Sequence, residues 1–262
     1  MNLIVHGVQL DSVWEDKEAN YGRARMLLAK AAPSAGGLIV LPEMFATGFS
    51  HDLSQTAEPE AGPTEAVLSE IARAYNCCVI GGLVTTGAGG KGRNQALALA
   101  PTGETLARYT KVQPFRLGGE AEAHEAGTGP LVFDWAGFRI APLICYDLRF
   151  PELAREAVRL GAEVLVYIAA WPVKRQHHWI SLLQARAIEN QAYVIGVNRC
   201  GSDPSCSYNG RSLVVDPHGI IIADAGEQER LLRAELHAEV VRDWREEFPA
   251  LKDAGIDALP AT

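Results

Sequence analysis

Three short apolar runs constrain the fold of this chain most. Leu38–Leu41, a run from about Gly137 to Ile144, and Glu163–Ala170 are apolar at nearly every position instead of at alternate ones. That is the pattern of strands buried on both faces. Such strands need helices over them, and helical spacing occurs between them. Lys17–Ala32 carries Ala19, Ala24, Met26, Leu27, Leu28 and Ala31, and Pro63–Tyr75 follows as a second helix. Pro151–Leu160 carries Leu153, Ala154, Ala157, Val158 and Leu160, with Pro151 suited to the first helical position. Lys174–Asn190 carries Leu182, Leu183, Ala185, Ala187 and Ile188. Further strands are predicted at Leu3–Leu10, Cys77–Thr85, Asn94–Ala100, Glu104–Tyr109, Ala192–Val197, Arg211–Val215, Ile220–Ala223 and Leu231–Glu235. Alternating strands and helices without a linker predict one α/β domain over residues 1–262.

Three segments lack a period: Met44–Glu60, Val112–Pro130 and Arg199–Asn209. They read as loops, and the long one at Val112–Pro130 as a functional one. Gly87–Gly92 is a hairpin loop, because Gly92 follows Lys91 where a phosphate loop needs Ser or Thr. The tail from Ala238, with Trp244 and Phe248, is predicted as a helix at an interface.

Charge and cysteine usage narrow the function. The net charge is −8, without a Lys/Arg cluster, so nucleic acid is not an expected partner. The apolar run Val164–Trp171 is far short of the roughly 18 residues of a membrane span. Five cysteines are spaced for neither a disulfide framework nor a zinc site, which predicts reduced thiols, a cytoplasmic location and no metal. His177-His178 does not make a metal pair, since neighbours on a helix point about 100° apart.

Two of the apolar runs deliver a reactive side chain at their ends, Glu43 and Cys145, and Lys111 follows another strand directly. Each has a plain reading: a capping acid, a core cysteine, a solvated lysine. Together they have a chemical one. Cys145, at a strand's carboxyl end and near a helix N-terminus, is placed as a nucleophile. Glu43 would take its proton. Lys111 would offset the carboxylate and, with the Tyr146 backbone N–H, hold an oxyanion.

These residues and their neighbours resemble the nitrilase superfamily of carbon–nitrogen hydrolases, with its Glu-Lys-Cys triad. The matching pieces are Leu41-Pro42-Glu43-Met44-Phe45, Lys111, Cys145-Tyr146-Asp147-Leu148-Arg149-Phe150-Pro151-Glu152, Trp171-Pro172, His178-Trp179, the run Ala185–Gln191 and Asn198-Arg199. The resemblance implies an α-β-β-α sandwich, no cofactor, and a homodimer formed through the helix after Cys145 and the Trp171–Gln191 segment. It also implies a second glutamate in the loop after Lys111, matched best by Glu120, with Glu122 and Glu125 as alternatives. The wording is most similar to the omega-amidase group, which implies a small amide substrate carrying a carboxylate, such as 2-oxoglutaramate or 2-oxosuccinamate. Arg149 and Arg175 are candidates to bind that carboxylate. Phe45, Phe115, Tyr146 and Trp171 would wall the pocket. Aliphatic amidase, N-carbamoyl amine hydrolase and nitrilase activity remain open within the superfamily. Outside that chemistry stand a binding protein without turnover and a Cys-His protease.

Overall fold

Successive residues of a strand face opposite sides of its sheet, and that alternation divides the core in two. Along the strand Leu38–Val40, Leu38 and Val40 join the larger apolar cluster and Ile39 the smaller. Cys78 and Ile80 against Val79, and Ala96 and Ala98 against Leu97 and Leu99, repeat the division. It also separates the adjacent cysteines, Cys77 into the smaller cluster and Cys78 into the larger. The smaller cluster is closed by the helices Lys17–Ala31 and Pro63–Tyr75 through Tyr21, Ala24, Leu28, Leu68 and Ile71. The larger one fills the space between two sheets and reaches the helices Pro151–Arg159 and Gln176–Asn190 through Leu153, Ala157, Trp179 and Leu183. The layers of this computed structural model, which describes residues 1–256, are α-β-β-α. Residues 257–262, which the domain expectation includes, lie outside the described residues.

The first sheet runs Arg230–His237, Asn2–Gln9, Leu38–Val40, Cys78–Thr86, Gly92–Leu99, Thr105–Thr110, with Ala57–Glu58 beside Cys78–Thr86. The second runs Ile221–Asp224, Leu213–Val215, Tyr193–Asn198, Val164–Ala169, Phe138–Ile144, Phe133–Trp135. Asn2–Gln9 pairs antiparallel with Arg230–His237 over eight residue pairs, so the two ends of the fold are joined by one ladder. Among the described residues no helix is long and apolar enough to cross a membrane.

Some expectations need correction. Arg199–Asn209 is not a plain loop but contains a hairpin, Cys200–Ser202 against Ser207–Asn209, anchored by a bond from Cys200 N–H to the Leu10 carbonyl. Met44–Glu60 contains a short helix, Leu53–Thr56, capped by Asp52. The strand Phe133–Trp135 falls in a stretch without a predicted element; it pairs with Phe138–Ile144 through a tight turn at Ala136-Gly137. Met26 and Ile188, expected to pack, are exposed. On the first helix Asn20 takes a buried position instead, because its amide bonds the backbone of Val13 and Ala46. The tail is a helix, Ala238–Glu247, held by Arg245, which donates to the carbonyls of Ala162 and Gln191 at the ends of two other helices.

Candidate active site

Parallel strands end on a common edge, and that edge collects the site. Phe138–Ile144, Val164–Ala169 and Tyr193–Asn198 are parallel, so Cys145 and Ala170 emerge side by side. In the other sheet Leu38–Val40 is parallel to Cys78–Thr86, and two antiparallel steps return Thr105–Thr110 to the same direction. Glu43 and Lys111 therefore leave their strands toward one edge. Gly82 lets the Glu43 turn lie directly on the sheet: a Cβ there would stand 2.5–2.6 Å from Met44 N, Glu43 Cα and the Pro42 carbonyl. Cys145 turns sharply out of its strand with φ of 46°, a left-handed conformation that side chains seldom adopt.

The floor of the site is a buried network. Glu43, Lys111 and Glu120 are each at most 1% exposed. Lys111 Nζ donates to Glu43 Oε1 at 2.8 Å and to both oxygens of Glu120, at 2.8 and 3.1 Å. Asn94 Nδ2 donates to Glu43 Oε1 and to Glu120 Oε1, each at 2.7 Å. The Ala170 N–H donates to Glu43 Oε2 at 2.9 Å, which ties the two sheets together at this edge. The Phe115 N–H donates to Glu120 Oε2 at 2.7 Å. Of the three acids considered in the loop, only Glu120 reaches Lys111. Glu122 is exposed, and Glu125 binds Arg93 and the Ala88 N–H.

Electrostatics follow from burial and pairing. Burial disfavours the charged form of Lys111, but Glu120, Glu43 and Cys145 outweigh it and hold the ammonium above its ordinary range. Burial would raise Glu120, yet Lys111 and the Phe115 and Asn94 donors bring it below the usual carboxylate range. Burial pushes the Cys145 thiol well up, and the Glu43 charge adds to that, while Lys111 and the Ala170 N–H pull the other way. The resting arrangement is thus a thiol facing a carboxylate, with an ammonium within reach of any charge that develops on sulfur or oxygen.

Above this floor lies a rim of different character. The Arg149 guanidinium lies 4.7 Å from the Trp171 ring and 6.0 Å from that of Tyr146, and Arg175 lies 5.6 Å from the Phe115 ring. Tyr146 packs on Phe115 with centroids 4.9 Å apart. Arg149 Nη2 contacts His178 Nδ1 at 3.2 Å. Burial and then the nearby Arg175 lower the Arg149 pKa. Among the described residues neither arginine has a carboxylate partner. Trp171 is largely buried, its indole N–H donating to the Arg175 carbonyl, so it offers a ring face and anchors the Arg175 turn. Phe45 is fully buried against Tyr21 in the smaller cluster and does not wall the site.

Sequence reasoning misses Asn94 altogether and meets Asn198 only as part of a matching motif, without a role. Asn94 occupies the inward-facing position two residues before Ala96, where an amide is out of place in an apolar layer unless it has partners; that is its only signal. Asn198 takes the Trp171 N–H on Oδ1 and donates to the Trp171 carbonyl, fixing the turn from which Ala170 reaches Glu43.

The chain has recognisable relatives. A family model described as carbon-nitrogen hydrolase matches residues 6–246. An omega-amidase, YafV, of Yersinia enterocolitica is 40% identical over 94% of each chain. A 2-oxoglutaramate amidase of Bacillus subtilis is 32% identical over 97% of this chain and 98% of its own. Among solved structures, a CN-hydrolase superfamily protein of Xanthomonas campestris, bearing an arsenic adduct in its active site, superposes with a TM-score of 0.91 at 33% identity over the whole of both chains. With a family match across nearly its full length and a fold shared with that solved structure, this chain belongs to the carbon–nitrogen hydrolase family, and it is an enzyme of that family.

Proposed function

We propose that the enzyme is an omega-amidase. It would hydrolyse the terminal amide of a small carboxylate-bearing amide, 2-oxoglutaramate or 2-oxosuccinamate, through a thioester on Cys145. The observation that carries the reading is the pairing of the buried Glu43–Lys111–Glu120 network with two arginines that lack an acidic partner among the described residues. The first supplies amide chemistry; the second supplies a place for a substrate carboxylate. Relatives with those activities, 32–40% identical, support the substrate class.

The proposed steps use the groups of this network. Glu43 takes the thiol proton as sulfur attacks the amide carbon. Lys111 and the Tyr146 N–H stabilise the oxyanion of the tetrahedral intermediate. Glu43 returns the proton to the departing nitrogen; ammonia leaves and a thioester remains. Glu43 then takes a proton from water, whose oxygen attacks the thioester carbonyl. The acid is released and the thiol is restored. Glu120 holds Lys111 and keeps it charged throughout. Arg149 and Arg175 bind the distal carboxylate between the faces of Trp171, Tyr146 and Phe115.

We further infer a homodimer through the face built by the helices Pro151–Arg159 and Gln176–Asn190. Leu160 and Ile188 are exposed on it, with Ile220 and Ile222 on the neighbouring hairpin. A cytoplasmic location fits the five unpaired cysteines. Ammonia release tests the function, using 2-oxoglutaramate, glutaramate, propionamide, N-carbamoylputrescine and propionitrile with Cys145→Ala as blank. Preference for 2-oxoglutaramate is the expected result. Preference for propionamide or propionitrile would reject the carboxylate pocket and keep the triad.

A further inference from the structure

Two segments from different sheets must meet in close register for Cys145 and Lys111 to act together, and one side chain joins them. Asp147, fully buried, lies two residues after Cys145. Its Oδ2 accepts from the Ile144 N–H at 3.0 Å, in the residue before the cysteine. The same oxygen accepts from the Tyr109 hydroxyl at 2.8 Å, two residues before Lys111. Its Oδ1 accepts from the Gln113 N–H at 2.9 Å, two residues after Lys111. A single carboxylate thus grips the cysteine turn on one side and brackets the lysine on the other.

We propose that Asp147, with Tyr109, is a positioning residue that holds the Cys145 turn in register with Lys111. The proposal rests on the reading of Cys145 as nucleophile and Lys111 as its cation. Three donors converge on Asp147, so an acceptor-only group is required. An asparagine there would set its own N–H against the Gln113 N–H in one orientation and the Ile144 N–H in the other. The turn it holds has a cost: the left-handed φ of Cys145 persists only where its surroundings impose it. The Asp147–Ile144 bond is the local constraint immediately before that residue.

The arrangement also has a pH signature. Burial raises the Asp147 carboxyl to about 7, against the pull of Lys111, the Ile144 N–H, Tyr109 and the Gln113 N–H. The groups that face it are Lys111 and Tyr109 from the first sheet and Tyr167 from the second. The ionised form accepts all three donors and prevails above the folded pKa. As pH falls through that value one oxygen gains a proton, a donor is displaced, and kcat declines with the register of the turn.

The test compares kcat, KM and pH profile in the wild type, Asp147→Asn and Tyr109→Phe, with alkylation of Cys145 by iodoacetamide as a measure of thiol activation. Asp147→Asn is expected to lose about hundredfold in kcat with KM within about threefold, to alkylate more slowly, and to lack the acid limb near neutrality. Tyr109→Phe removes one donor without introducing a clash; its acid limb is expected to move to higher pH. Wild-type kcat in folded Asp147→Asn would overturn the proposal, as would a lowered Tm with unchanged alkylation per folded molecule. Should Asp147→Asn not fold, an unmoved acid limb and wild-type kcat in Tyr109→Phe overturn it. Turnover surviving in Cys145→Ala would instead remove the underlying reading, and this proposal with it.

Discussion

The floor and the rim of the site adjoin and are built on opposite rules. On the floor every charge is buried and answered: Lys111 donates to two carboxylates, and each carboxylate also takes a side-chain amide and a backbone N–H. On the rim Arg149 and Arg175 are part-exposed, lie on aromatic faces, and have no acidic partner among the described residues. A buried charge left unpaired costs several kcal/mol, so the floor admits one arrangement. A part-exposed arginine is kept charged by water and can wait for an anion. On the proposed function, reaction chemistry belongs to the floor, which the fold fixes, and substrate choice to the rim arginines, which lack an acidic partner among the described residues.

Substitutions that break the floor should therefore abolish chemistry. Cys145→Ala removes the proposed nucleophile and is expected to lower kcat by about 10⁵-fold or more with Tm unchanged, checked by ammonia release and calorimetry. Lys111→Met is expected to do comparable damage to kcat and, unlike the first, to cost about 3–5 kcal/mol of stability, because Glu43 and Glu120 are left buried without a cation. Denaturant titration would expose the error if that variant were as stable as the wild type. Glu43→Gln keeps the shape and loses the base, so kcat should fall about 10³-fold. Asn94→Ala frees both glutamates from a shared donor but leaves Lys111 in place, and a loss of about tenfold to hundredfold in kcat is expected from steady-state kinetics.

For the part of the rim that only supports an arginine, the effects should be smaller and confined to KM. His178 contacts Arg149 through Nδ1, and its pKa is lowered, by desolvation first and then by His177, Arg149 and Arg175. It is thus neutral near pH 7 and can accept from the guanidinium. His178→Ala is expected to raise KM for a carboxylate-bearing amide about threefold to tenfold, the worth of one hydrogen bond, and to leave propionamide kinetics unchanged. A change in kcat for both substrates would place His178 with the floor.

Legibility in the sequence follows the same division. Strands buried on both faces announce themselves as unbroken apolar runs, so the residues that end them, Glu43 and Cys145, are found as candidates by position and gain a role only together with Lys111. The helix Pro63–Tyr75 has the bounds predicted for it, and the structure shows Pro at its start and Asn76 as a left-handed stop. Lys111 emerges from its place after a strand. Glu120 needs the family pattern, since spacing alone does not distinguish three acids in one loop; burial and the Lys111 bond do. The roles of Asn94 and Asn198 stay hidden because they come from partners 51 and 26 residues away in one case and 27 in the other. The hairpin from Cys200 to Asn209 is hidden for a related reason. Its Ser-, Asp- and Pro-containing sequence has no alternation, and it is held by Leu10 and by Arg199, which donates to the Ser12 and Ser202 carbonyls. Tertiary contacts, not local preference, make those elements.

If floor and rim are separable, removing the rim cations should leave the chemistry of uncharged amides intact. The most direct measurement is kcat/KM of the double variant Arg149→Ala/Arg175→Ala with 2-oxoglutaramate and with propionamide. A loss of about hundredfold or more for the first, with the second within about threefold of wild type, is the predicted result. An equal loss for both substrates, or no loss for either, would contradict it.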